Sequence, residues 1–157
     1  MIAVLQRASR ASVEVQGRIV GEIGKGLLIL LGVAEGDTEA EAEMLAAKIL
    51  KCRIFEDENG KMNRSVTDVA GGALVVSNFT LLANYRRGNR PDFMGAAAPA
   101  RANELYLYFT ELLRRELSTV QKGEFGAEMQ VGLVGDGPIT IVMNTDVLKQ
   151  SKKESCT

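Results

Sequence analysis

Short apolar segments bounded by glycine set the tightest limit on what this chain can fold into. Residues 27–33 run without a polar side chain between Gly26 and Gly36, as is typical of a strand buried on both faces. Before them, residues 2–15 and 19–23 alternate roughly between apolar and polar side chains and are separated by a glycine turn. That pattern predicts a β-hairpin, so the beginning of the chain is predicted to be β-sheet.

Two segments follow a helical period instead. Thr38 and Glu41 have the spacing of a capping box, and apolar residues then recur at three- and four-residue intervals as far as Lys51. A second helix is predicted over residues 99–117, where leucines and Phe109 mark one face. Because the strands are spaced like hairpins, we expect an α+β fold, with a mostly antiparallel, barrel-like sheet flanked by two helices.

Further strands complete the predicted sheet at residues 53–56, 73–76, 129–134 and 139–143. The last two are separated by residues 135–138, Gly-Asp-Gly-Pro, which predict a tight turn followed by a return strand. We expect one domain over residues 1–146. Residues 147–157 are polar and carry lysines, and we expect them to form a frayed C-terminal tail without a function.

The residue types present exclude several classes of function. The 157-residue chain contains no histidine, so neither a Ser-His-Asp nor a Cys-His catalytic arrangement can form within it. Its two cysteines do not form a Cys-x-x-Cys pair, which leaves no donor set for a zinc site. We expect no metal and no other cofactor. The net charge of -1 gives no sign of nucleic-acid binding, although the placement of the charges matters more than their sum.

The N-terminal segment and the apolar runs bear on location. The first residues lack the basic stretch and apolar core of a signal peptide. The longest apolar run, residues 27–34, is far shorter than the ~20 residues that a transmembrane helix needs. We therefore expect a cytoplasmic protein that does not associate with a membrane.

The residues alone suggest candidates for a site but no reaction. Ser77 and Thr80 carry hydroxyl groups that could act as nucleophiles, but no base lies near them in sequence to activate them. Residues 84–92 are predicted to form a long surface loop. Guanidinium groups suit phosphates, although they are equally typical of a soluble loop, and three lie in this one: Arg86, Arg87 and Arg90.

Six short motifs occur along the chain in a specific order and spacing. They are residues 1–8 with 11–13, 24–28 with 31–33, 53–55 with 60–63, 77–81, 87–91 and 137–140. Each is weak alone, but together they resemble the D-aminoacyl-tRNA deacylase family, first known as D-tyrosyl-tRNA deacylases, over residues 1–145. Two positions depart from that family's motifs: Asn78 stands where the family usually has glutamine, and Gly135 where it usually has asparagine.

The resemblance implies a homodimeric enzyme with a barrel-like fold and no cofactor. It implies hydrolysis of the ester that joins a D-amino acid, or mischarged glycine, to the 3′-terminal adenosine of tRNA. The expected site residues are Ser77, Asn78, Phe79 and Thr80. Backbone N–H groups of the last two would stabilise the oxyanion. The 2′-hydroxyl of the terminal ribose would assist, so that no side chain need act as nucleophile.

The resemblance also implies how L-amino acids are rejected. Gly137 and Pro138, joined by a cis bond in this family, are expected to project into the partner subunit's pocket and to leave no room for an L side chain. Arg7 is expected to brace this turn, with Gln6 and Met129 as further supporting residues. The three arginines of the loop are expected to contact tRNA.

Three alternatives stay open at this point. The chain could bind tRNA without cleaving it, or serve only as a structural dimer domain. It could also be a deacylase with relaxed chirality that acts on glycine or on small L-amino acids, because the substitutions at residues 78 and 135 alter the expected pocket and turn.

Overall fold

The computed structural model describes residues 1–154, the last four of them by their backbone alone. Within this range lie eight strands: β1 (Ile2–Val15), β2 (Arg18–Ile23), β3 (Gly26–Gly32), β4 (Phe55–Glu56), β5 (Met62–Arg64), β6 (Gly72–Ser77), β7 (Val120–Lys122) and β8 (Gln130–Asn144). The same range holds three helices: α1 (Glu39–Lys51), α2 (Pro99–Arg114) and α3 (Thr145–Glu154). The predicted α+β fold class is confirmed, with one helix more than expected.

β1 organises the main sheet. It pairs antiparallel with β8 along nearly its whole length, from Ile2 opposite Asn144 to Glu14 opposite Gln130. Its first half also pairs with β3 and its second half with β2, again antiparallel. Beyond β3 the sheet continues to β6 and then β7, and these pairings are parallel. The sheet is therefore mixed, with its antiparallel part around β1 and its parallel part around β6.

Two glycines let the sheet curl towards closure. β2 lies against β7, and a Cβ atom on Gly21 of β2 would fall 2.7 Å from the carbonyl oxygen of Lys122 in β7. On Gly26, at the start of β3, a Cβ atom would fall 2.0 Å from the carbonyl oxygen of Gly72. No side chain fits at either distance, so glycine permits the backbones to approach and the sheet to close almost into a barrel.

β3 separates two parts of the core, as its apolar run predicts. Ile29 belongs to the larger cluster, which α1 and α2 complete with Leu45 and Phe109. Leu28 belongs to the smaller cluster, with Leu74 of β6. All five side chains are at most 1% exposed. Both faces of β3 are therefore covered, as expected for a continuous apolar strand.

The two predicted helices are present. The Thr38 side chain accepts a hydrogen bond from the N–H of Ala40, and the Glu41 carboxylate accepts one from the N–H of Thr38, which completes the capping box of α1. α2 starts at Pro99, where a missing N–H is tolerated, and ends at Arg114, three residues earlier than predicted. Among the described residues, no helix combines the length and the apolar character needed to cross a bilayer.

The return strand predicted after residues 135–138 is wrong. These residues lie inside β8, which continues in the same direction to Asn144. Gln6 pairs with Thr140 while Ala8 pairs with Gly135, so one residue of β1 faces four residues of β8. These four, residues 136–139, form a bulge, called the β8 bulge below. Glycine and proline are local signals for both a turn and a bulge, and only the pairing with the distant β1 distinguishes them.

The frayed tail predicted at the C-terminus is also wrong over the residues that the structure describes. Residues 145–154 form α3. The N–H of Thr145 donates to the carbonyl oxygen of Met1 at 3.0 Å, and Lys149 forms a 2.6 Å ion pair with Glu41 of α1. Residues 155–157 of the predicted tail lie outside the described range, and the domain limit at residue 146 stays a prediction.

Candidate functional site

A cavity of about 620 Å³ opens where β6 ends. β6 stops at Ser77, and a short 3₁₀ helix, Phe79–Leu82, follows it along one wall. The other walls come from Phe93 and Met94, from the alanines at residues 96–98, and from Phe125 ahead of β8. The lining is mainly apolar, as in most small-molecule sites. Within residues 1–154, no cluster of Cys, Asp and Glu side chains could hold a metal ion.

Part of the predicted site comes together at this cavity. Four of the predicted residues line it: Ser77, Asn78, Phe79 and Met129. Gln6 lines an adjoining groove of about 410 Å³, which shares three of those four residues with the cavity. The groove continues to Val131 and Leu133 of β8. The cavity therefore opens towards the outer surface of β8.

The Thr80 hydroxyl group has a partner that is not a base. Its Oγ1 donates a hydrogen bond to Oδ1 of Asn78 at 2.5 Å. An amide oxygen accepts a hydrogen bond but does not remove the proton. Among the described residues, no carboxylate or amine bonds to this hydroxyl. The arrangement is typical of a side chain that fastens a turn rather than of an activated nucleophile.

Two backbone N–H groups at the start of the 3₁₀ helix have no internal acceptor. The first hydrogen bond of this turn runs from the N–H of Leu81 to the carbonyl oxygen of Asn78, at 3.3 Å. The N–H groups of Phe79 and Thr80 precede it and donate to no acceptor within the described residues. Both residues are exposed. Phe79 lines the cavity and Thr80, which does not, directly follows it. The two free donors therefore lie next to each other where the cavity wall ends, and a ligand oxygen could accept from them.

The loop of residues 84–92, called the arginine loop below, adjoins the cavity. Two backbone hydrogen bonds between Asn84 and Asp92, at 2.8 and 3.0 Å, close its base. Phe93 follows at once and meets Phe79 edge to face, with ring centroids 5.1 Å apart. Among the described residues, no carboxylate lies within 4 Å of the loop's guanidinium groups. All three are exposed: Arg86, Arg87 and Arg90.

Arg7 is held in the opposite way, because it is buried and two of its nitrogens donate to backbone carbonyl oxygens. Its side chain is 5% exposed. Nε donates to the carbonyl oxygen of Asp136 at 3.1 Å, and Nη1 donates to that of Ile54 at 2.9 Å. Nε also lies 3.3 Å from Oδ2 of Asp136. Arg7 thus connects β1, the β8 bulge and the chain just before β4.

Three of the four residues of the β8 bulge are exposed, namely Asp136, Gly137 and Pro138, and Ile139 is half-buried. The Gly137–Pro138 bond is cis, and Gly137 has a φ angle of 130°, which L side chains rarely adopt. A Cβ atom there would fall 2.7 Å from Cγ1 of Ile139, so glycine is required at this position. Neither residue 137 nor residue 138 lines the cavity or the groove of its own chain. Arg7 does not line the cavity or the groove either.

Three large side chains that line the cavity were not predicted from the sequence: Phe93, Met94 and Phe125. Phe93 and Met94 directly follow the arginine loop, and Phe125 lies in the connection before β8. The weak signal for them was the alanine-rich stretch at residues 96–98, where small side chains leave space beside larger apolar ones. Nothing in the local pattern showed that these segments meet the end of β6.

Known proteins resemble this chain over nearly its whole length. Residues 4–144 match the sequence profile of the family described as D-Tyr-tRNA(Tyr) deacylase. A D-aminoacyl-tRNA deacylase of Jannaschia sp. (strain CCS1) is 59% identical over 145 residues, covering 92% of this chain and 99% of the relative. A D-aminoacyl-tRNA deacylase of Roseiflexus castenholzii (strain DSM 13941 / HLO8) is 53% identical over 152 residues, covering 97% of each.

Solved structures share the fold. The structure of a c-Myc DNA Unwinding Element Binding Protein matches with a TM-score of 0.87 at 44% identity, covering 92% of this chain and 98% of that one. The structure of a probable eukaryotic D-amino acid tRNA deacylase matches with a TM-score of 0.76, covering 90% and 97%. Its identity is 16%, so it supports the fold alone.

Proposed function

The chain belongs to the D-Tyr-tRNA(Tyr) deacylase family, and on that premise we propose that it is a D-aminoacyl-tRNA deacylase. The family resemblance predicted from the motifs is confirmed, and with it a hydrolase that acts on an ester bond. The observation that carries the proposal is the match over residues 4–144, which include the cavity, its two free N–H groups and the β8 bulge. The ester joins a D-amino acid, or mischarged glycine, to the 3′-terminal adenosine.

The free N–H groups at the cavity edge suit this chemistry. Water adds to the ester carbonyl carbon, the carbonyl oxygen becomes an oxyanion, and collapse of the intermediate expels the 3′ oxygen of the ribose. The N–H groups of Phe79 and Thr80 donate to the oxyanion. The neighbouring 2′-hydroxyl relays a proton from the attacking water to the leaving oxygen. No protein base is needed, which agrees with a Thr80 hydroxyl bonded to Asn78.

The outer surface of β8 supports a homodimer. This 15-residue strand pairs with β1 and, within the described residues, with no other strand. Val131, Leu133, Val134 and Val142 along it are 37 to 68% exposed. A long unpaired strand with exposed apolar side chains needs a cover. A second copy of the chain supplies it in the proposed dimer, since the groove beside the cavity runs onto the same strand.

The dimer also gives the β8 bulge a role. Three residues of the bulge are exposed, and none of its four lines the cavity of its own chain. In the proposed dimer, Gly137 and Pro138 of one copy enter the groove beside the other copy's cavity. Their backbone holds the α-amino group of the substrate and leaves no space for an L side chain, whereas many D side chains pass. Gln6 and Met129 support this filter from the groove, and Arg7 supports it by holding the bulge.

The arginine loop gives the proposed enzyme a contact for RNA. Its exposed guanidinium groups are free to bind phosphates of the tRNA 3′ end. Because charged tRNA is the substrate, the proposed place of action is the cytoplasm. The competing reading, a protein that binds tRNA without cleaving it, uses the same cavity and loop and differs only in the absence of ester hydrolysis.

The direct test uses 3′-labelled D-Tyr-tRNA, L-Tyr-tRNA and Gly-tRNA with purified protein. We expect rapid loss of the D ester, slower loss of the glycyl ester and no loss of the L ester above a protein-free control. Failure to cleave any ester would leave the non-catalytic reading standing. Cleavage of the D and L esters alike would indicate a deacylase with relaxed chirality.

The dimer is tested separately with two matched valines. Val142 of β8 is 68% exposed and Val147 of α3 is 62% exposed. We expect Val142→Asp to convert a dimer into a monomer in light scattering and to abolish deacylation, while Val147→Asp changes neither. A monomeric wild-type protein that retains full activity would contradict the dimer and the shared filter together.

A further inference from the structure

The two most exposed large apolar side chains in residues 1–150 lie on either side of the base of the arginine loop. Met94 is 83% exposed and Tyr85 is 81% exposed. Met94 lines the cavity, and Phe79 beside it is 57% exposed. Single exposed apolar side chains are ordinary, but two of these three line the cavity, and Tyr85 lies next to the base of the loop that adjoins it.

The base of the arginine loop places Tyr85 close to the cavity wall. Asn84 and Asp92 are opposite each other in an antiparallel bridge. Phe93 therefore lies on the cavity side of the bridge, and Tyr85 lies on the loop side. Since neighbouring Cα atoms are ~3.8 Å apart, Tyr85 stands only a few residue lengths beyond the cavity wall. Tyr85 is also the one aromatic residue among residues 84–92.

Tyr85 is held at an ordered point of the loop. The Asn84 side chain accepts a hydrogen bond from the N–H of Arg86 at 3.2 Å, directly across Tyr85. Asp92 Oδ1 accepts from the N–H of Met94 at 3.2 Å. The nearest carboxylate in sequence is thus bonded to the backbone of the loop base, not to an arginine. These hydrogen bonds order the backbone that carries Tyr85, which reduces the conformational entropy lost when a flat partner stacks on its exposed ring.

We propose that Tyr85 is a stacking platform for an unpaired nucleotide that precedes the terminal adenosine of the tRNA. The base of that nucleotide lies on the Tyr85 ring, and its flanking phosphates contact Arg86, Arg87 and Arg90. The inference rests on the proposed function, because the terminal adenosine occupies the cavity in it. Charge selects RNA over a protein partner here, since the same loop carries three exposed guanidinium groups with which no carboxylate of the described residues pairs.

The test is a double cycle between the Tyr85 ring and the base. Binding is measured with an uncharged RNA hairpin that ends in a single-stranded 3′ tail, and with the same hairpin made abasic at the nucleotide before the terminal adenosine. We expect Tyr85→Ala to weaken binding of the intact hairpin by about 5- to 100-fold, the range of one base stacked on an aromatic ring. The abasic hairpin should bind the wild type more weakly than the intact hairpin does, by the same factor. Tyr85→Ala should bind the two hairpins equally.

Two variants control for other causes. Tyr85→Phe keeps the ring and should bind like the wild type. Met62→Ala removes a side chain that is 50% exposed on the β4–β5 hairpin and should change nothing. Independent losses from Tyr85→Ala and from the missing base would overturn the proposal, as would unchanged binding by Tyr85→Ala.

Deacylation separates this inference from the proposed function. With D-Tyr-tRNA, Tyr85→Ala should raise KM and leave kcat unchanged, whereas 3′-D-tyrosyl-adenosine, which lacks the preceding nucleotides, should be cleaved equally by variant and wild type. A wild type that cleaves neither substrate refutes the function, yet the double cycle still decides on Tyr85. Equal losses by Tyr85→Ala on both substrates would refute the stacking platform alone.

Discussion

Arg7 and the arginines of the loop carry the same guanidinium group into opposite surroundings. Arg7 is 5% exposed and donates to the carbonyl oxygens of Ile54 and Asp136. The three arginines of the loop are exposed, and no carboxylate within the described residues pairs with them. A buried guanidinium that donates to carbonyl oxygens of two separate segments holds those segments in place. An exposed one whose donors are unused is available to a ligand.

Among the substitutions that test this contrast, Arg7→Ala should have the largest effect. The substitution leaves two partly or fully buried carbonyl oxygens without a donor and empties the space beside the β8 bulge. We expect the free energy of unfolding in urea to fall by about 3 kcal/mol. Arg18→Ala, on the exposed start of β2, is the matched control and should change it by less than about 0.5 kcal/mol. Equal effects at the two positions would show that Arg7 does not hold the bulge.

Removing the arginines of the loop should affect binding and spare stability. We expect Arg86→Ala, Arg87→Ala and Arg90→Ala combined to weaken tRNA binding by about 10- to 100-fold at low salt. The slope of log K against log salt should become shallower by about 2, since each phosphate contact to a single strand contributes ~0.7. Urea unfolding should stay within ~0.5 kcal/mol of the wild type. An unchanged salt slope would mean that the loop does not touch phosphate.

The Glu41–Lys149 ion pair is intermediate in burial between Arg7 and the arginines of the loop, because Glu41 is buried and Lys149 is 44% exposed. The hydrogen bond from Lys149 is the main cause that lowers the pKa of Glu41 from 4.5 to about 2, with the Thr38 cap adding to it. The folded-state pKa is below the unfolded one, so this stabilisation is present above about pH 4.5 and is lost as the pH falls towards 2. Because Lys149 is 44% exposed, water screens the pair and the contribution is discounted.

Glu41→Gln should therefore remove part of the acid sensitivity. Between about pH 6 and pH 3, we expect the wild type to lose about 1 to 2 kcal/mol more unfolding free energy than the variant. Glu22→Gln, on the exposed part of β2, serves as the control and should follow the wild type. If the wild type and Glu41→Gln lose stability in parallel, α3 is not held to α1 by this carboxylate.

Thr80→Val should have the smallest effect, although the residue lies beside the proposed reaction. Its hydroxyl is exposed like the arginines of the loop, but it already donates to Asn78. We expect kcat for D-Tyr-tRNA to change by less than about 5-fold, the scale of one ordinary hydrogen bond. A loss of several orders of magnitude would restore Thr80 as a nucleophile.

Local signals in the sequence predicted the elements that depend on local interactions. The capping box of Thr38 and Glu41 placed the start of α1, because both partners lie within one helical turn. The apolar run of β3 predicted burial on two faces, because such a run leaves no polar side for water. The end of β6 was indicated by the family resemblance and not by a local signal; Ser77, Asn78 and Phe79 line the cavity there, and their role in a reaction stays a prediction.

Long-range pairing accounts for the errors. Residues 135–138 read as a tight turn, but β1 lies more than 120 residues earlier in the chain and continues to pair beyond them. α3 forms where a frayed tail was expected, and its contacts are with distant residues: Lys149 pairs with Glu41 of α1, and Thr145 bonds to Met1. Phe93 and Phe125 enter the cavity from segments with no strong pattern of their own. Each error concerns a partner that neighbouring residues do not reveal.

The position of the bulge inside β8 limits how this protein can vary. A surface loop accepts inserted or deleted residues, but the bulge is framed on both sides by ladder pairs to β1, such as Ala8 with Gly135 and Gln6 with Thr140. One residue added between the bulge and either end of β8 would turn every following side chain to the other face of the sheet. A change of length in β8 would therefore disrupt its pairing with β1, whereas a substitution leaves the register of the two strands unchanged.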